Sequence, residues 1–427
     1  MHVVINADAG AVSYTFGLDE GDRDSIPAHA GRSTFQFRPG TCRFILPSDW
    51  RMDHTHPDLI AAVALAIGAR FAKSGMRLPF GVSSQLRQHV AERYKIEVNP
   101  VDPALRPRQA GPNSRPGLCF SSGVDSTAAL QLLPPDTVLV FSQRIAALDG
   151  RDGRMYCEDA GIRGCQILKQ AGREVWIIPT DVEFMCESIG FFNDLVIAAP
   201  VLLLADYLGL DSIAFGLILE SSYLNKAFRY REYTKSSHHL QHGGLSAAAG
   251  MPWNLVTAGL SEVVTTRLVL ESPYQHLAQS CVRGFFSEPC MNCAKCFRKS
   301  LLESALAGET LPDAVLDQYF QIRDARRELS HVPIKHEDVI MFILQRYRGD
   351  HPEMRALART LRADEVDLGW MERWYTPSRE VLADMYRDDA ERRITARVQP
   401  MSSSDIANVK AWDRIADAEA AGRLAHA

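Results

Sequence analysis

The chain has 427 residues, 46% hydrophobic and 23% charged, with a net charge of −5. That length holds two or three domains, each able to bury a core, in an ordinary globular composition. The acidic balance lacks the basic surplus of non-specific nucleic-acid binders, so direct nucleic-acid binding is not expected.

Membrane insertion needs about 18 uninterrupted apolar residues, and the longest candidate, Leu195 to Leu210, is broken by Pro200 and Asp206. The amino terminus, Met1 to Asp8, lacks a basic stretch followed by an apolar core and gives no secretory signal. Nine cysteines are an odd number in a large chain, which fits a reducing compartment and a cytoplasmic location.

Short β-like runs at Val12–Phe16, Thr34–Arg38 and Cys42–Leu46 alternate with turns. Pro57–Lys73 and Gln85–Tyr94 carry helical periodicity, with Ser84 as an N-cap. These elements predict an α+β amino-terminal module over residues 1–110. The proline-rich stretch Asn99–Pro116 reads as a linker.

From Gly117 the texture becomes alternating β and α. Strands are expected at Leu118–Phe120, Thr137–Phe141, Val175–Ile178 and Ser212–Phe215. Helices are expected from Thr127, at Tyr156–Gln170 and at Asp194–Tyr207. Strands alternating with helices imply an α/β domain, residues 117–303, built on a parallel sheet covered on both faces. Residues 304–427 read as a helical extension, with Met341–Tyr347, Met354–Leu361 and Arg379–Tyr386 the clearest segments.

Two motifs carry chemistry. In Cys119-Phe120-Ser121-Ser122-Gly123-Val124-Asp125-Ser126-Thr127, a strand feeds a tight turn and then a helix. Backbone N–H groups and the helix dipole at such a junction hold phosphate oxygens. Ser121, Ser122, Ser126 and Thr127 add hydroxyls, Gly123 permits close approach, and Val124 completes the turn. Asp125 fits beside phosphate only by orienting a lysine or binding Mg²⁺. No lysine follows, so this is not the P-loop of Walker-type ATPases.

The second motif is Cys281, Cys290, Cys293 and Cys296, four thiols within sixteen residues. The spacing closes a structural Zn²⁺ shell. A C-x₂-C-x₂-C run also opens ferredoxin iron–sulfur motifs, but those continue downstream to a further cysteine. Here Phe297-Arg298-Lys299 leads to Ser300. Zinc is the favoured ion, and the chain after Cys296 is expected to be helical.

The turn resembles the S-G-G-x-D-S signature of the PP-loop ATP pyrophosphatases, departing at Ser122, where that signature has glycine. Together with the four cysteines, Leu260 to Leu270, Ser280-Cys281, Ala198 to Leu203 and Ile213 to Gly216, it is similar to the 7-cyano-7-deazaguanine synthase (QueC) family. The resemblance covers about Gly117 to Leu302 and implies an adenine-nucleotide α-hydrolase (PP-loop) core with a four-cysteine zinc site. It further implies use of ATP and Mg²⁺ to adenylate 7-carboxy-7-deazaguanine before amide formation.

The segment Leu217 to Ala227 departs from the family's substrate run, and both flanking regions have no counterpart in the short synthases. That longer shape resembles the QueC-like proteins of antiphage operons of the type IV CBASS and Qat kinds. In the type IV branch the amine is understood to be a protein terminus. A protein acceptor from the same operon is therefore a candidate partner.

On this resemblance Asp125, Ser126 and Arg144 are the catalytic candidates, and Ser121 to Thr127 bind ATP. Glu220, Ser221 and Tyr223 read the deazaguanine. His238, His239 and His242 sit in what reads as a mobile loop. Two other functions are open: a nitrile-forming synthase for queuosine precursors (or a tRNA thiolase of the same superfamily), and a nucleotide-binding scaffold without chemistry.

Overall fold

The computed structural model describes residues 1–27, 34–151, 156–187, 189–191, 193–279 and 281–423. Ser280 of the Ser280-Cys281 pair lies outside them. Twelve strands run through the described chain: β1 (His2–Asp8), β2 (Ala11–Gly17), β3 (Ser25–Pro27), β4 (Thr34–Phe37), β5 (Gly40–Ile45) and β6 (Gly75–Val82). They continue with β7 (Glu97–Val101), β8 (Arg115–Cys119), β9 (Val138–Arg144), β10 (Val175–Thr180), β11 (Cys186–Glu187) and β12 (Leu210–Ala214). Nine form one sheet in the order β12-β8-β9-β10-β5-β2-β1-β6-β7, while β11, β4 and β3 form a small second sheet.

The large sheet is mostly parallel. β12, β8, β9 and β10 run together, as do β1, β6 and β7; the antiparallel pairings are β10 with β5, β5 with β2, and β2 with β1. The sequence places a module boundary between residues 110 and 117. The sheet continues across that interval, because Thr180 of β10 pairs with Phe44 of β5. The proline-rich stretch before β8 is pinned by buried Arg108, which donates to Asp206 Oδ1 (2.7 Å), the Leu210 carbonyl (2.7 Å) and the Gly250 carbonyl (2.9 Å).

Helix α1 (Pro57–Gly68) is buried along almost its whole length. Pro57 stands in its first turn and His56 Nδ1 accepts from Asp58 N, which together satisfy the start of the helix. Helix α2 (Ser84–Tyr94) is capped by Ser83, one residue before the expected cap. Between β8 and β10 the chain alternates with α3 (Val124–Leu132) and α4 (Asp159–Gln170).

Two expected helices differ. Asp194–Tyr207 is not continuous; it breaks into Asp194–Ile197, Ala199–Leu203 and Ala205–Leu208. Pro200 lacks an N–H to continue the ladder, and proline disfavours helical backbone in the residue before it. Arg379–Tyr386 is two 3₁₀ turns, Thr376–Val381 and Asp384–Tyr386. Its residues instead pair with the core, where Leu255 N donates to the Val381 carbonyl (3.1 Å). No described helix is long and apolar enough to cross a membrane.

In chain order β8, β9 and β10 step one way across the sheet, whereas β12 lies on the far side of β8. The order therefore reverses between β8 and β12. Ligands in open α/β sheets bind beyond the carboxyl ends of strands at such a reversal. The Ser121–Ser126 turn lies there.

Candidate functional site

The turn is held by its own hydroxyls. Ser126 Oγ donates to the Gly123 carbonyl (3.1 Å), accepts from Ser121 N (3.2 Å) and lies 3.0 Å from Ser121 Oγ. Helix α3 begins at Val124 with Gly123 in extended backbone, so the first N–H groups have no intrahelical partner. Ser122 takes a left-handed φ of 58°, the conformation glycine adopts most readily. It is 1% exposed, and its hydroxyl turns away to the Leu277 carbonyl (2.8 Å). Thr127 is fully buried beneath the turn.

A cavity of about 560 Å³ opens over this turn. Ser121, Gly123, Val124, Asp125 and Ser126 line one side. Thr265 Oγ1 donates to Asp125 Oδ1 (2.8 Å) and fixes its carboxylate. Gly216, beyond β12, lines the cavity too. A methyl group there would stand 2.5 Å from Ser126 N and 2.6 Å from the Asp125 carbonyl carbon, so only glycine lets the β12 loop pass.

A second part of the lining carries cations. Lys295, Arg298 and Lys299 project from the first turns of the helix Ala294–Ala307, with Lys335 beside them. Glu262 Oε1 takes both Lys299 Nζ (3.0 Å) and Arg298 Nε (3.1 Å). Burial opposes ionisation of Glu262, but Arg298, Lys299 and His336 hold its carboxyl far below the ordinary value. Burial, and then Arg298, pull the Lys335 ammonium below its ordinary value. Glu262, Asp324 and Glu328 line the cavity among these cations, and Arg283 pairs with Asp324 (2.8 Å).

The four cysteines lie at the base of the same wall. Their sulfurs fall within 4.8 Å of one another, with Cys293–Cys296 at 3.5 Å and Cys290–Cys296 at 3.8 Å. A tetrahedral centre of one zinc and four sulfurs, with bonds of about 2.3 Å, has edges of about 3.8 Å, so the set fits zinc. Backbone N–H groups of Arg283 and Cys290 point at Cys281 Sγ (3.4 and 3.3 Å), and that of Cys296 at Cys293 Sγ (3.4 Å). Such donors stabilise thiolate and orient the ligand. Zinc here would supply structural closure, fixing the start of Ala294–Ala307 and hence Lys295, Arg298 and Lys299.

The remaining candidates divide. Arg144 does not line the large cavity. Its guanidinium stacks on Tyr156 (3.6 Å to the ring centre) and Phe191 (4.4 Å), with Glu183 at 3.5 Å, in a second cavity of about 160 Å³ beside Ser121 and Ser122. Ser221 lines the large cavity. Glu220 and Tyr223 are packed away from it. Glu220 is fully buried and Oε1 accepts from Glu262 N (2.8 Å), capping the helix Glu262–Leu270. Burial, then Asp338 and Glu262, raise its carboxyl above the ordinary value. Tyr223 donates to Glu380 Oε1 (3.0 Å) and packs on Tyr233 and Tyr375.

The histidines do not form a loose loop. His238–Gly243 is a π-helical turn, and His238 Nδ1 and Nε2 lie 2.9 Å from Tyr233 OH and 3.0 Å from Asp194 Oδ2. Sequence reasoning assigned no role to Asp194, Thr265 or the cationic residues of the lining, and it noted Gly216 only as the end of the Ile213–Gly216 segment. Only the cations left a local signal, the Arg298-Lys299 pair two residues after Cys296.

Fold and site together define a mixed α/β protein whose large, mostly parallel sheet carries a cavity at its switch point, braced by a four-cysteine cluster. Residues 241–413 match the model described as "Family of unknown function (DUF6395)". That span holds the four cysteines, Glu262 and the cationic wall, and begins after the Ser121–Ser126 turn. No curated protein and no solved structure matches the chain.

Proposed function

We propose that the protein is a PP-loop ATP pyrophosphatase of the QueC-like kind, which adenylates a 7-deazaguanine carboxylate and passes it to an amine. The observation that carries this reading is that the Ser121–Ser126 turn and Lys295, Arg298 and Lys299 line one cavity. Free N–H groups at the start of α3 and fixed cations in the same lining suit a polyphosphate. The cavity size and its place at the β8/β12 reversal suit a nucleotide with a second reactant.

On this reading Asp125, steadied by Thr265, would hold Mg²⁺, which would supply neutralisation of phosphate charge. The turn and wall orient ATP so that the acid's carboxylate oxygen displaces diphosphate from the α-phosphorus. An amine then attacks the acyl carbon, AMP leaves with the C–O bond electrons, and the amine loses a proton. Ammonia gives a primary amide, which a second ATP can dehydrate to a nitrile. A protein terminus gives a secondary amide, where the reaction stops. The segments flanking the core supply surface for such an acceptor from an antiphage operon. Arg144 and its aromatic neighbours border the smaller cavity beside the turn.

Chromatography of products from ATP, Mg²⁺, 7-carboxy-7-deazaguanine and ammonium ion tests this. Acyl-adenylate or amide supports the ligase. Nitrile assigns the synthase activity. Tight ATP binding without turnover leaves the scaffold.

A further inference from the structure

Two fully buried acids, Glu220 and Asp338, meet where the loop after β12 packs on the helix Glu337–Arg346. Backbone ties hold this seam. Lys226 N donates to the Glu220 carbonyl (2.5 Å), and the Lys226 carbonyl accepts from His336 N (3.1 Å), two residues before Asp338. Glu262 joins both sides: its N–H donates to Glu220 Oε1 (2.8 Å), and its Oε2 lies 3.6 Å from His336 Nδ1.

The buried cations at the seam are committed to other acids. Arg298 and Lys299 pair with Glu262, and Arg414 pairs with Glu337 (2.7 Å). Among the described residues no ion pair reaches Glu220 or Asp338. Each places one oxygen on a backbone N–H, Glu220 Oε1 on that of Glu262 and Asp338 Oδ1 on that of Val339 (2.8 Å). The other oxygen of each, Oε2 and Oδ2, is buried without a hydrogen-bond partner.

His336 does not supply the missing charge. Burial, and then Arg298, pull its imidazolium well below the ordinary value, with Lys335 and Lys299 adding to the effect. Asp338 faces Glu262, Arg298 and Glu337, while Glu328 and Asp125 bear on Arg298 from outside the seam. An unpaired carboxylate taken out of water is costly, and like charges in one buried site oppose each other's ionisation. A proton removes the charge and turns the unpartnered oxygen into a donor. Burial raises both carboxyls, that of Asp338 to about 7.

We infer that Glu220 and Asp338 are held as uncharged acids, and that the seam they close between the β12 loop and the carboxyl-terminal helices is a proton-sensitive joint. Ile218 and Ser221 line the large cavity from one side of this seam, and Lys335 and His336 from the other. Ionisation of the two acids slackens the seam, and that part of the lining with it. The sign is fixed by the raised carboxyls. Such a group contributes stability in acid that is lost as pH climbs from its ordinary value to the folded one. For Asp338 the window runs from 3.8 to about 7, and for Glu220 it opens at 4.5 and extends upward.

Hydrogen exchange of the full chain, read by mass spectrometry and corrected for the intrinsic effect of pH, tests the inference. Protection of Glu337–Arg346 should fall by about 10-fold or more between about pH 5 and about pH 8, while the buried helix α1 serves as the unchanged reference. Asp338→Asn and Glu220→Gln keep the oxygen that accepts from the backbone and cannot ionise. Each should reduce the loss, and the double variant should hold protection within about 2-fold across the range. A protonated-carboxyl band in the infrared should be present near neutral pH in the parent and weaker in each variant.

Protection of Glu337–Arg346 that does not change with pH in the parent overturns the inference, whether or not the variants fold. So does a loss as large in the variants as in the parent, or an infrared band that neither substitution weakens.

Discussion

Ser122 Oγ donates to the Leu277 carbonyl at 2.8 Å, and this bond directs the one unusual side chain of the Ser121–Ser126 turn away from the large cavity. Gly164 of α4 makes the room. A methyl group at Gly164 would press into Ser122 Oγ and stand 3.1 Å from Ser122 Cβ. Gly164→Ala should therefore cost about 1–3 kcal/mol through overpacking. Ser122→Gly should be close to neutral, within about 1 kcal/mol, because it relieves positive φ while losing one hydrogen bond. Chemical denaturation of the two variants checks the pair, and equal destabilisation would contradict the account.

The four-cysteine cluster should carry one zinc per chain by elemental analysis. Cys293→Ser removes a ligand buried beside Cys296 and should lose most of the metal, with a fall in stability of several kcal/mol. Chelation of the parent protein should also lower ATP affinity, since it frees the first turn that carries Lys295 and Arg298. Full nucleotide affinity in the metal-free protein would contradict that coupling.

Glu262→Gln leaves Arg298 and Lys299 buried without a counter-charge and should cost about 3–5 kcal/mol near neutral pH. The sign with pH follows from the depressed carboxyl. A group whose folded value lies below its ordinary 4.5 contributes stability above that value and loses it as pH falls towards the folded one. The gap between parent and Glu262→Gln should therefore be full at pH 7 and shrink below about pH 4.5. Thermal denaturation across pH measures it; a gap that widens in acid would contradict the assignment.

Gly216→Ala adds a methyl group 2.5 Å from Ser126 N. The turn must shift, and ATP binding should weaken by about 10-fold or more while zinc content is retained. Calorimetry with ATP and elemental analysis on one sample check both halves.

Much of the parallel half was legible because its strands are contiguous apolar runs with turn residues between them. β8, β9, β10 and β12 all lie within a few residues of their expected places. β6 and β7 were not visible. β6 contains Pro79 between Gly75 and Gly81, and β7 is five residues long with Pro100 in it; both read locally as turns. They form strands because neighbouring strands supply pairing.

The site was legible where chemistry is local in sequence. The cysteine spacing and the Ser121–Ser126 turn announce themselves. Glu220 and Asp194 show the limit: each is an acid beside apolar residues, and only tertiary placement separates a helix cap from a cavity wall. Asp194 meets His238, 44 residues further on, which no local pattern links to it.

Exchange of labelled diphosphate into ATP tests the central claim most directly, since it reports reversible cleavage between the α- and β-phosphates. Exchange should require both Mg²⁺ and 7-carboxy-7-deazaguanine, and should vanish in Asp125→Ala with the fold and zinc intact. Absence of exchange with every deazaguanine acid, or full exchange in Asp125→Ala, would contradict the account.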